Sequence, residues 1–380
     1  MGRNITTKAL LAGAALAFAF PSVAAAQIGG FDTEIKKEKK AAKPKKQDIV
    51  YVSVDPRHPG PKSVSDALDV VKEGGEIIVH PGVYRPENIK LRKTVSIRGI
   101  RDDYGKAPTL TASGGCLSVS RVDVQARVSD LVFRASDQTC ISVTKGSLEL
   151  IDSEIRGKHA GYGYQPQSDH LRPFNEAAAI GARSALVSIK GGRVRIANSV
   201  ITGGETGVKI SPVASGNGFE HVELQNNVIS QMIGAGVVMT GSVDATLANN
   251  TIVNNQMSGI VYSAEGHARL VGNIISNNAY NGLYVSAAGD AISIERNKIH
   301  GNTEDGIEVR SGTAILVGNE IGEHNGCRVN RNAFAEGTSG HLAKPPITLL
   351  ADLQGVNTFD ASATCKQKPK KKQRSGRRTR

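Results

Sequence analysis

A repeat of about 23 residues runs through the middle of the chain, and it restricts the possible folds more than any other feature. Its most regular position is an asparagine between aliphatic residues, as in Leu-Gln-Asn-Asn-Val-Ile and Leu-Ala-Asn-Asn-Thr-Ile. A glycine followed by an aliphatic-x-aliphatic triplet comes after each of these asparagines. The anchor asparagines are Asn227, Asn250, Asn273, Asn297 and Asn319, and we expect Ser199, Ser153 and Asp130 to take the same place upstream.

A unit of this length with three short aliphatic alternations cannot bury its own apolar face. Stacked units can, because each strand then pairs with its counterpart in the next coil and like side chains form continuous ladders. A leucine-rich repeat has a similar period but needs a helix after its asparagine, whereas β-branched residues surround the asparagine here. The repeat therefore predicts an all-β parallel β-helix, a solenoid with coils of about 23 residues.

The start of the repeat region carries a family signature. Ser63-Val-Ser-Asp66 opens an amphipathic stretch, which predicts a short N-terminal capping helix. Gly74-Gly-Glu-Ile-Ile-Val-His-Pro-Gly-Val-Tyr84 follows, and from Ser63 to Asn319 the chain resembles the pectin-lyase-like superfamily of right-handed parallel β-helices. The resemblance implies a right-handed coil. It does not imply one activity, since that superfamily includes lyases, esterases, hydrolases, epimerases, phage tailspikes and non-catalytic proteins.

The N-terminus has the composition of a secretory signal peptide. Arg3 and Lys8 precede an apolar run of about 12 residues and then three alanines, which predicts cleavage after Ala26 and an exported, periplasmic or extracellular protein. A membrane anchor is the alternative, but spanning a bilayer takes roughly 18 apolar residues or more. No later stretch is apolar enough to cross a membrane. The predicted domains are the signal peptide 1–26, a basic linker 27–47, the β-helix 48–365 and a basic disordered tail 366–380.

The net charge of +12 belongs to the two tails. The predicted signal peptide holds two cations, the linker holds seven lysines against three acids, and the final tail holds nine cations and no acid, so residues 48–365 are left at about −3. In an exported protein such blocks favour binding to lipopolysaccharide, an anionic lipid surface or an acidic polysaccharide, and no nucleic-acid partner is expected. The alternative is solvated ends that only aid solubility.

The motifs of well-known activities in this superfamily are missing. Gly266-His267-Ala268 lacks the second glycine and the aspartates of the polygalacturonase pattern, and nothing matches the pectin esterase motif. No aspartate stack of the calcium-dependent lyase type lies on the strand of the glycine motif, so we assign no metal to that strand, and we expect no cofactor. The expected outward residues of that strand are Ser118, Ser142, Ser188, Lys209, Val238, Val261, Tyr284 and Glu308.

A long interruption between Ile155 and Ala185 offers the first candidate site. It falls before the strand of the glycine motif, where enzymes of this superfamily place their clefts. Histidine or tyrosine would act as acid or base there, and arginine or lysine would neutralise a uronate carboxylate. An ordinary structural insertion is the alternative. The catalytic candidates are His159, Tyr162, Tyr164, Asp169, His170 and Arg172, and the binding candidates are Lys190, Lys209 and Tyr284.

A second candidate is a column six residues before three successive anchors. His221, Asp244 and His267 share that register, which places a carboxylate between two imidazoles at steps of ~5 Å. The column could form a metal site or a proton-transfer dyad. The competing interpretation is a solvated cross-strand pairing on an outer face.

Four cysteines follow the predicted signal peptide, in a compartment that permits disulfides. Cys116 and Cys140 stand 24 residues apart before the same aliphatic-Ser-Val strand, so we expect their Cα atoms ~5 Å apart, within disulfide range. The second expected pair is Cys327 and Cys365. Two stacked thiols are the alternative for the first pair.

Two functions from different classes remain open on the sequence. The protein either binds an acidic polysaccharide or another anionic envelope component without catalysis, or it is a polysaccharide lyase or epimerase acting on a uronate-containing glycan. The missing catalytic motifs favour binding. The low aromatic content of 4% and the absence of tryptophan weaken sugar stacking in both cases.

Overall fold

The computed structural model describes residues 46–136, 139–160, 180–181, 184–211, 221–286, 292–324, 326–327, 329–330 and 348–351. The predicted signal peptide, nearly all of the basic linker and the basic tail 366–380 lie outside these ranges, so those assignments stay predictions. Among the described residues, no helix is long and apolar enough to cross a membrane.

The described chain is built from parallel strands and one short helix, α1, Val64–Val70. The first strands are β1 Gln47–Val52, β2 Val71–Val79, β3 Val83–Leu91, β4 Val95–Gly99, β5 Thr109–Val119, β6 Gln125–Ser129, β7 Val132–Arg134, β8 Ile141–Val143, β9 Ser147–Ile151 and β10 Glu154–Arg156. The middle strands are β11 Val187–Ile189, β12 Arg193–Ala197, β13 Val200–Thr202, β14 Val208–Ile210, β15 His221–Gln225, β16 Val228–Ser230, β17 Val237–Ala248, β18 Thr251–Val253 and β19 Ile260–Val271. The last strands are β20 Ile274–Ser276, β21 Leu283–Ser286, β22 Ile292–Glu295, β23 Lys298–His300, β24 Ile307–Ser311, β25 Thr313–Val317, β26 Glu320–Ile321, β27 Val329–Asn330 and β28 Thr348–Ala351.

These strands stack into three parallel sheets that wind around one apolar core in about ten coils. Sheet 1 holds the strands of the glycine motif, namely β8, β11, β14, β21, β24, β27, the first parts of β17 and β19 and the last parts of β3 and β5. Sheet 2 holds β1, β2, β4, β6, β9, β12, β15, β22, β25, β28 and the last parts of β17 and β19. Sheet 3 holds β7, β10, β13, β16, β18, β20, β23, β26 and the first parts of β3 and β5. The all-β parallel β-helix predicted from the repeat is confirmed.

The predicted capping helix closes the first coil. Ser63 is its N-cap and accepts a hydrogen bond from the backbone N–H of Asp66 at 3.0 Å. The Glu87 carboxylate accepts from the backbone N–H groups of Val64 and Ser65. Together these acceptors satisfy donors that every helix start leaves unpaired. The helix therefore covers the open end of the core with Val64, Ala67 and Leu68.

The anchor asparagines form a buried hydrogen-bonded ladder between sheets 2 and 3. Asn250 Oδ1 accepts from the backbone and side-chain nitrogens of Asn227, and Asn250 Nδ2 donates to Asn273 Oδ1 at 2.9 Å and to Leu224 O at 2.8 Å. The bonding satisfies buried polar groups that the turn would otherwise leave unpaired. One register prediction from the sequence is wrong: Leu131, and not Asp130, precedes Ser153 in this column, because β7 pairs Val132 with Glu154.

Left-handed backbone lies one position before the anchors. Asp130, Asn226, Asn249 and Arg296 have φ between 49° and 56° at that place. Asparagine and aspartate tolerate this conformation at low cost, which explains why Asp130 looked like an anchor in the sequence. At the anchor position itself, asparagine is favoured because its buried amide forms hydrogen bonds, and not because it tolerates left-handed backbone.

The glycine of the second motif is required by close stacking. A Cβ atom on Gly259 would lie 2.8 Å from the carbonyl oxygen of Gly282 in the next coil, and one on Gly236 would lie 2.7 Å from that of Gly259. Real Cβ atoms do not approach backbone oxygen so closely. The motif therefore marks the corner where consecutive coils come nearest before entering sheet 1.

The disulfide between Cys116 and Cys140 is confirmed, with the two Cα atoms 4.5 Å apart. Both side chains are buried on adjacent coils at the start of sheet 1. Cys327 is buried near the last described coil, but Cys365 lies outside the described residues, so their pairing stays a prediction.

Candidate functional site

The interruption after β10 is described only at its two ends. Of the predicted catalytic residues, His159 is described, whereas Tyr162, Tyr164, Asp169, His170 and Arg172 lie outside the described residues. His159 lies three residues after β10 of sheet 3, and its backbone N–H donates to Gly203 O at 2.8 Å. That bond holds the start of the interruption against the next coil.

A cavity of about 310 Å³ lies at this corner between sheets 3 and 1. Lys158, His159 and Glu205 line it. Glu205 is positioned by Ser184, whose backbone N–H and hydroxyl donate to Glu205 Oε2 at 3.0 and 2.6 Å. We name this cavity the corner cavity. Its lining includes one imidazole, one carboxylate and one ammonium group.

The predicted binding lysines lie beside the corner cavity. Lys209 Nζ donates to Ile180 O at 2.9 Å, at the far end of the interruption. Burial lowers the pKa of Lys209, Glu205 opposes this shift and Lys190 adds to it. Lys190 is exposed one residue beyond β11, so the outward position on that strand belongs to Ser188 rather than to Lys190.

The middle of the outer face of sheet 1 is apolar and covered. Val238 and Val261 point outward on successive coils, yet both are 0% exposed. They pack with Met257, Ile180 and the third predicted binding residue, Tyr284. An open polar cleft over these coils is therefore absent from the described part of sheet 1, which differs from the arrangement that the family resemblance implies.

The predicted His-Asp-His column exists on the outer face of sheet 2. Asp244 pairs in register with His267, and His221 Nδ1 lies 3.2 Å from Asp244 Oδ1. The side chains of His221 and Asp244 are 36% and 51% exposed. Within the described ranges, no three histidine, cysteine, aspartate or glutamate side chains form a metal-binding group. The column has the geometry of a solvated cross-strand pairing, and its role as a site stays untested.

Next to this column, sheet 2 carries a row of charges that neutralise one another. Arg127, Glu149, Arg195 and Glu223 follow in register on four coils. Their nitrogen to oxygen distances are 3.1, 2.9 and 3.4 Å along the row. Exposed pairs of this kind contribute little stability, but they leave this face without an excess of either charge.

Sheet 3 carries a groove of about 600 Å³ that we name the basic groove. Its floor is formed by the outward residues Val132, Glu154 and Val200 on three successive coils. One wall is the loop between β4 and β5. Its cationic lining residues are Arg101, Lys106, Arg134 and Arg156, and its acidic lining residues are Asp152 and Glu154.

Of these four cationic side chains, two form ion pairs or hydrogen bonds with residues of the groove and two do not. Arg101 donates to the Asp130 carboxylate at 3.1 Å and to Asp152 O at 3.2 Å, while Arg156 forms a two-pronged ion pair with Glu154. Arg134 and Lys106 are exposed, and in the part of the chain that is described neither side chain has a charged or hydrogen-bonding partner. The groove therefore presents two uncommitted positive charges above a sheet floor.

A family model described as the right-handed β-helix region matches residues 184–338. That match agrees with the parallel β-helix that the described residues form, so the fold is that of a right-handed parallel β-helix.

Solved structures similar to this β-helix protein share little sequence with it. They include the periplasmic alginate epimerase AlgG, 12% identical over 80% of this chain and 84% of that one, with a TM-score of 0.35. Pectate lyase Pel9A is 13% identical over 83% and 80%, with a TM-score of 0.39. PfbA, a surface adhesin of Streptococcus pneumoniae, is 12% identical over 80% and 93%, with a TM-score of 0.43. Among curated proteins, none matches the chain.

The basic groove of this β-helix protein was missed at the level of sequence, although a signal for it exists. Arg134 and Arg156 stand 22 residues apart at the same outward position of adjacent coils. The spacing of one coil at an outward position is the sequence signal for this pair. Arg101 and Lys106 come from a loop outside the repeat, and only the fold brings them to the same groove.

Proposed function

We propose that this protein binds an acidic polysaccharide in the basic groove of sheet 3. The observation that carries the proposal is the pair of exposed, uncommitted cations, Arg134 and Lys106, beside a concavity of about 600 Å³. By contrast, the charges of sheet 2 are paired and the central outer face of sheet 1 is covered by apolar residues.

The chemistry of the groove suits a uronate-containing glycan. A guanidinium group binds a carboxylate through two parallel hydrogen bonds, and a lysine ammonium adds a mobile point charge. The carboxylate oxygens of Asp152 and Glu154 are acceptors for sugar hydroxyl groups. The volume lies within the usual range for small-ligand sites, which is enough for a few sugar units of a longer chain.

The proposal also includes export of the protein and a surface-binding role for its two basic tails. A cleaved signal peptide would deliver the protein to the periplasm or the cell exterior, and the Cys116–Cys140 disulfide is consistent with an oxidising compartment. We assign the two basic tails to contact with an anionic envelope surface, such as lipopolysaccharide or anionic lipid. The folded body then holds the glycan while the tails hold the surface.

Co-sedimentation of the full chain with a panel of acidic polysaccharides tests the binding proposal. The double variant Arg134→Ala, Lys106→Ala should lose most of its binding to uronate-containing polymers at moderate salt. The matched control is Arg92→Ala, Lys145→Ala, which removes two exposed cations from turns outside the groove and should bind like the parent. Equal binding by the parent and the groove variant would refute the assignment of the groove.

A second candidate function is a uronate lyase or epimerase acting at the corner cavity. His159 and Glu205 line that cavity together, and an imidazole with a positioned carboxylate is a possible acid-base pair. The same incubations test it: absorbance of unsaturated uronate reports lyase activity, and proton NMR of the polymer reports epimerisation. Turnover that His159→Ala abolishes would favour this candidate over simple binding.

A further inference from the structure

The outer face of sheet 3 continues beyond the basic groove as a row of aliphatic side chains. Val200, Val228, Thr251 and Ile274 stand in register on four successive coils. The three aliphatic members are 36%, 38% and 41% exposed. We name these four residues the aliphatic row. Singly exposed aliphatic residues are ordinary, but aligned ones form a continuous surface feature.

The aliphatic row and the basic groove are continuous. Val200 belongs to both, since it lines the groove and begins the row. From Val132 to Ile274 the same outward column crosses five coil steps, which amounts to ~24 Å at the usual strand spacing. We name this outward column, from Val132 to Ile274, the track. It runs along the axis of the β-helix, with the cations of the basic groove beside its first half and the aliphatic row in its second half.

Hydroxyl groups border the aliphatic row. Thr202 and Ser230 lie two residues after Val200 and Val228 on the same strands, so they face the same side of the sheet. Both are half-buried, and Thr202 Oγ1 lies 3.3 Å from Gln231 Oε1. A sugar ring has an apolar C–H face and an edge of hydroxyl groups. The aliphatic side chains can pack against the C–H face, and the hydroxyl groups of Thr202 and Ser230 can hydrogen-bond to the edge.

The dimensions of the row favour a glycan over a protein partner. Each strand of sheet 3 beside the row has three residues, or ~10 Å, and the row itself spans three coil steps, or ~14 Å. A specific protein interface covers roughly 800 Å² on each partner, several times the area available here. A single polysaccharide strand fits a narrow track of this kind.

We propose that an unbranched acidic polysaccharide lies along the whole track, with carboxylates over the basic groove and the C–H faces of its following rings on the aliphatic row. This inference rests on the proposed function and extends it from a local charge site to an elongated one. Its consequence is a dependence of affinity on ligand length. Oligosaccharides that cover the groove alone bind weakly, and those that reach Ile274 bind more tightly.

Calorimetric titration of the full chain with size-fractionated oligouronates tests the length dependence. The affinity should rise until the oligomer spans ~24 Å and then level off. The double variant Val228→Ser, Ile274→Ser should weaken binding of long oligomers by about tenfold and leave that of short ones unchanged, because it removes apolar contacts from the far half only. Val122→Ser, at a residue that is 79% exposed in a turn, is the matched control and should change neither.

Two results would overturn the inference, and they are distinguishable. An affinity that levels off at oligomers covering only the groove, with no effect of the double variant, would remove the extended track and leave the proposed function standing. An absence of binding at every length would remove both. Thermal unfolding of each variant shows that the fold is retained.

Discussion

At the scale of single residues, the buried amides of the anchor column determine how consecutive coils stack. Asn250, for example, accepts from the backbone N–H of Asn227, donates to the backbone carbonyl of Leu224 and also donates to the next anchor, Asn273. A second column does the same at the turn after sheet 3, through Asn255, Asn278 and Asn302. Each member stands five residues after an anchor, so the aligned repeats carry a sequence signal for this column as well.

Replacing an anchor should cost far more than replacing its neighbour. Asn250→Gly leaves the buried Asn227 N–H and Leu224 carbonyl unsatisfied, and we expect the free energy of unfolding to fall by about 3 kcal/mol. Asn249→Gly is the control: Asn249 is exposed with φ of 55°, which glycine adopts readily. Urea unfolding of both variants measures the difference, and equal losses would contradict a structural role for the ladder.

His324 ends the second column and makes it sensitive to acid. Its Nδ1 accepts from the backbone N–H of Asn302 at 3.2 Å, and its imidazole is half-buried. Burial lowers the pKa of His324 from about 6.5 to about 4, with His300 adding to the shift and Asp305 opposing it. Between these values the unfolded chain binds more protons than the folded one, so this contribution to stability is complete above pH 6.5 and is lost as the pH falls towards 4.

The variant His324→Asn should remove that acid sensitivity, since an asparagine continues the column without titrating. Thermal unfolding from pH 7 to pH 4 should show a smaller decline for the variant than for the parent. His267→Asn makes the same change at an exposed position and should keep the parental decline. An unchanged slope in His324→Asn would show that other groups control the acid response.

At the scale of strands and coils, the sequence predicted register well wherever aligned repeats determine it. The spacing of Cys116 and Cys140 predicted their contact, and the period of the anchors predicted the three parallel sheets. The burial of the outer face of sheet 1 was not predictable from the aligned repeats. Val238 and Val261 stand at outward positions, but their burial depends on packing from outside the repeat, including Ile180.

The confirmed disulfide provides a stability prediction at this scale. It closes a loop of 24 residues, for which chain entropy gives about 3 kcal/mol. The double variant Cys116→Ala, Cys140→Ala should therefore lower the free energy of unfolding by roughly that amount, as measured by urea unfolding under oxidising conditions. Non-reducing peptide mapping of the parent should return the Cys116–Cys140 link, and a Cys116–Cys327 link would contradict the coil register.

At the scale of the whole molecule, charge divides the chain into a mildly acidic body and two basic ends. We predict that a chain of residues 48–365 loses its salt-sensitive binding to anionic vesicles and lipopolysaccharide, because about thirteen net positive charges lie outside it. Binding of the acidic polysaccharide should survive in the same chain, since the groove lies within the body. Undiminished vesicle binding would show that the body, and not the tails, contacts the surface.

The proposed function requires the ligand to lie on sheet 3 rather than on sheet 1. Carbodiimide coupling of glycan carboxylates to lysine amines in the full chain, followed by peptide mapping, tests it most directly. We predict that within residues 46–351 Lys106 is coupled well ahead of Lys145, the exposed reference lysine. Coupling concentrated on Lys158, Lys190 or Lys209, with Lys106 no more reactive than Lys145, would place the ligand at the corner cavity and contradict the account.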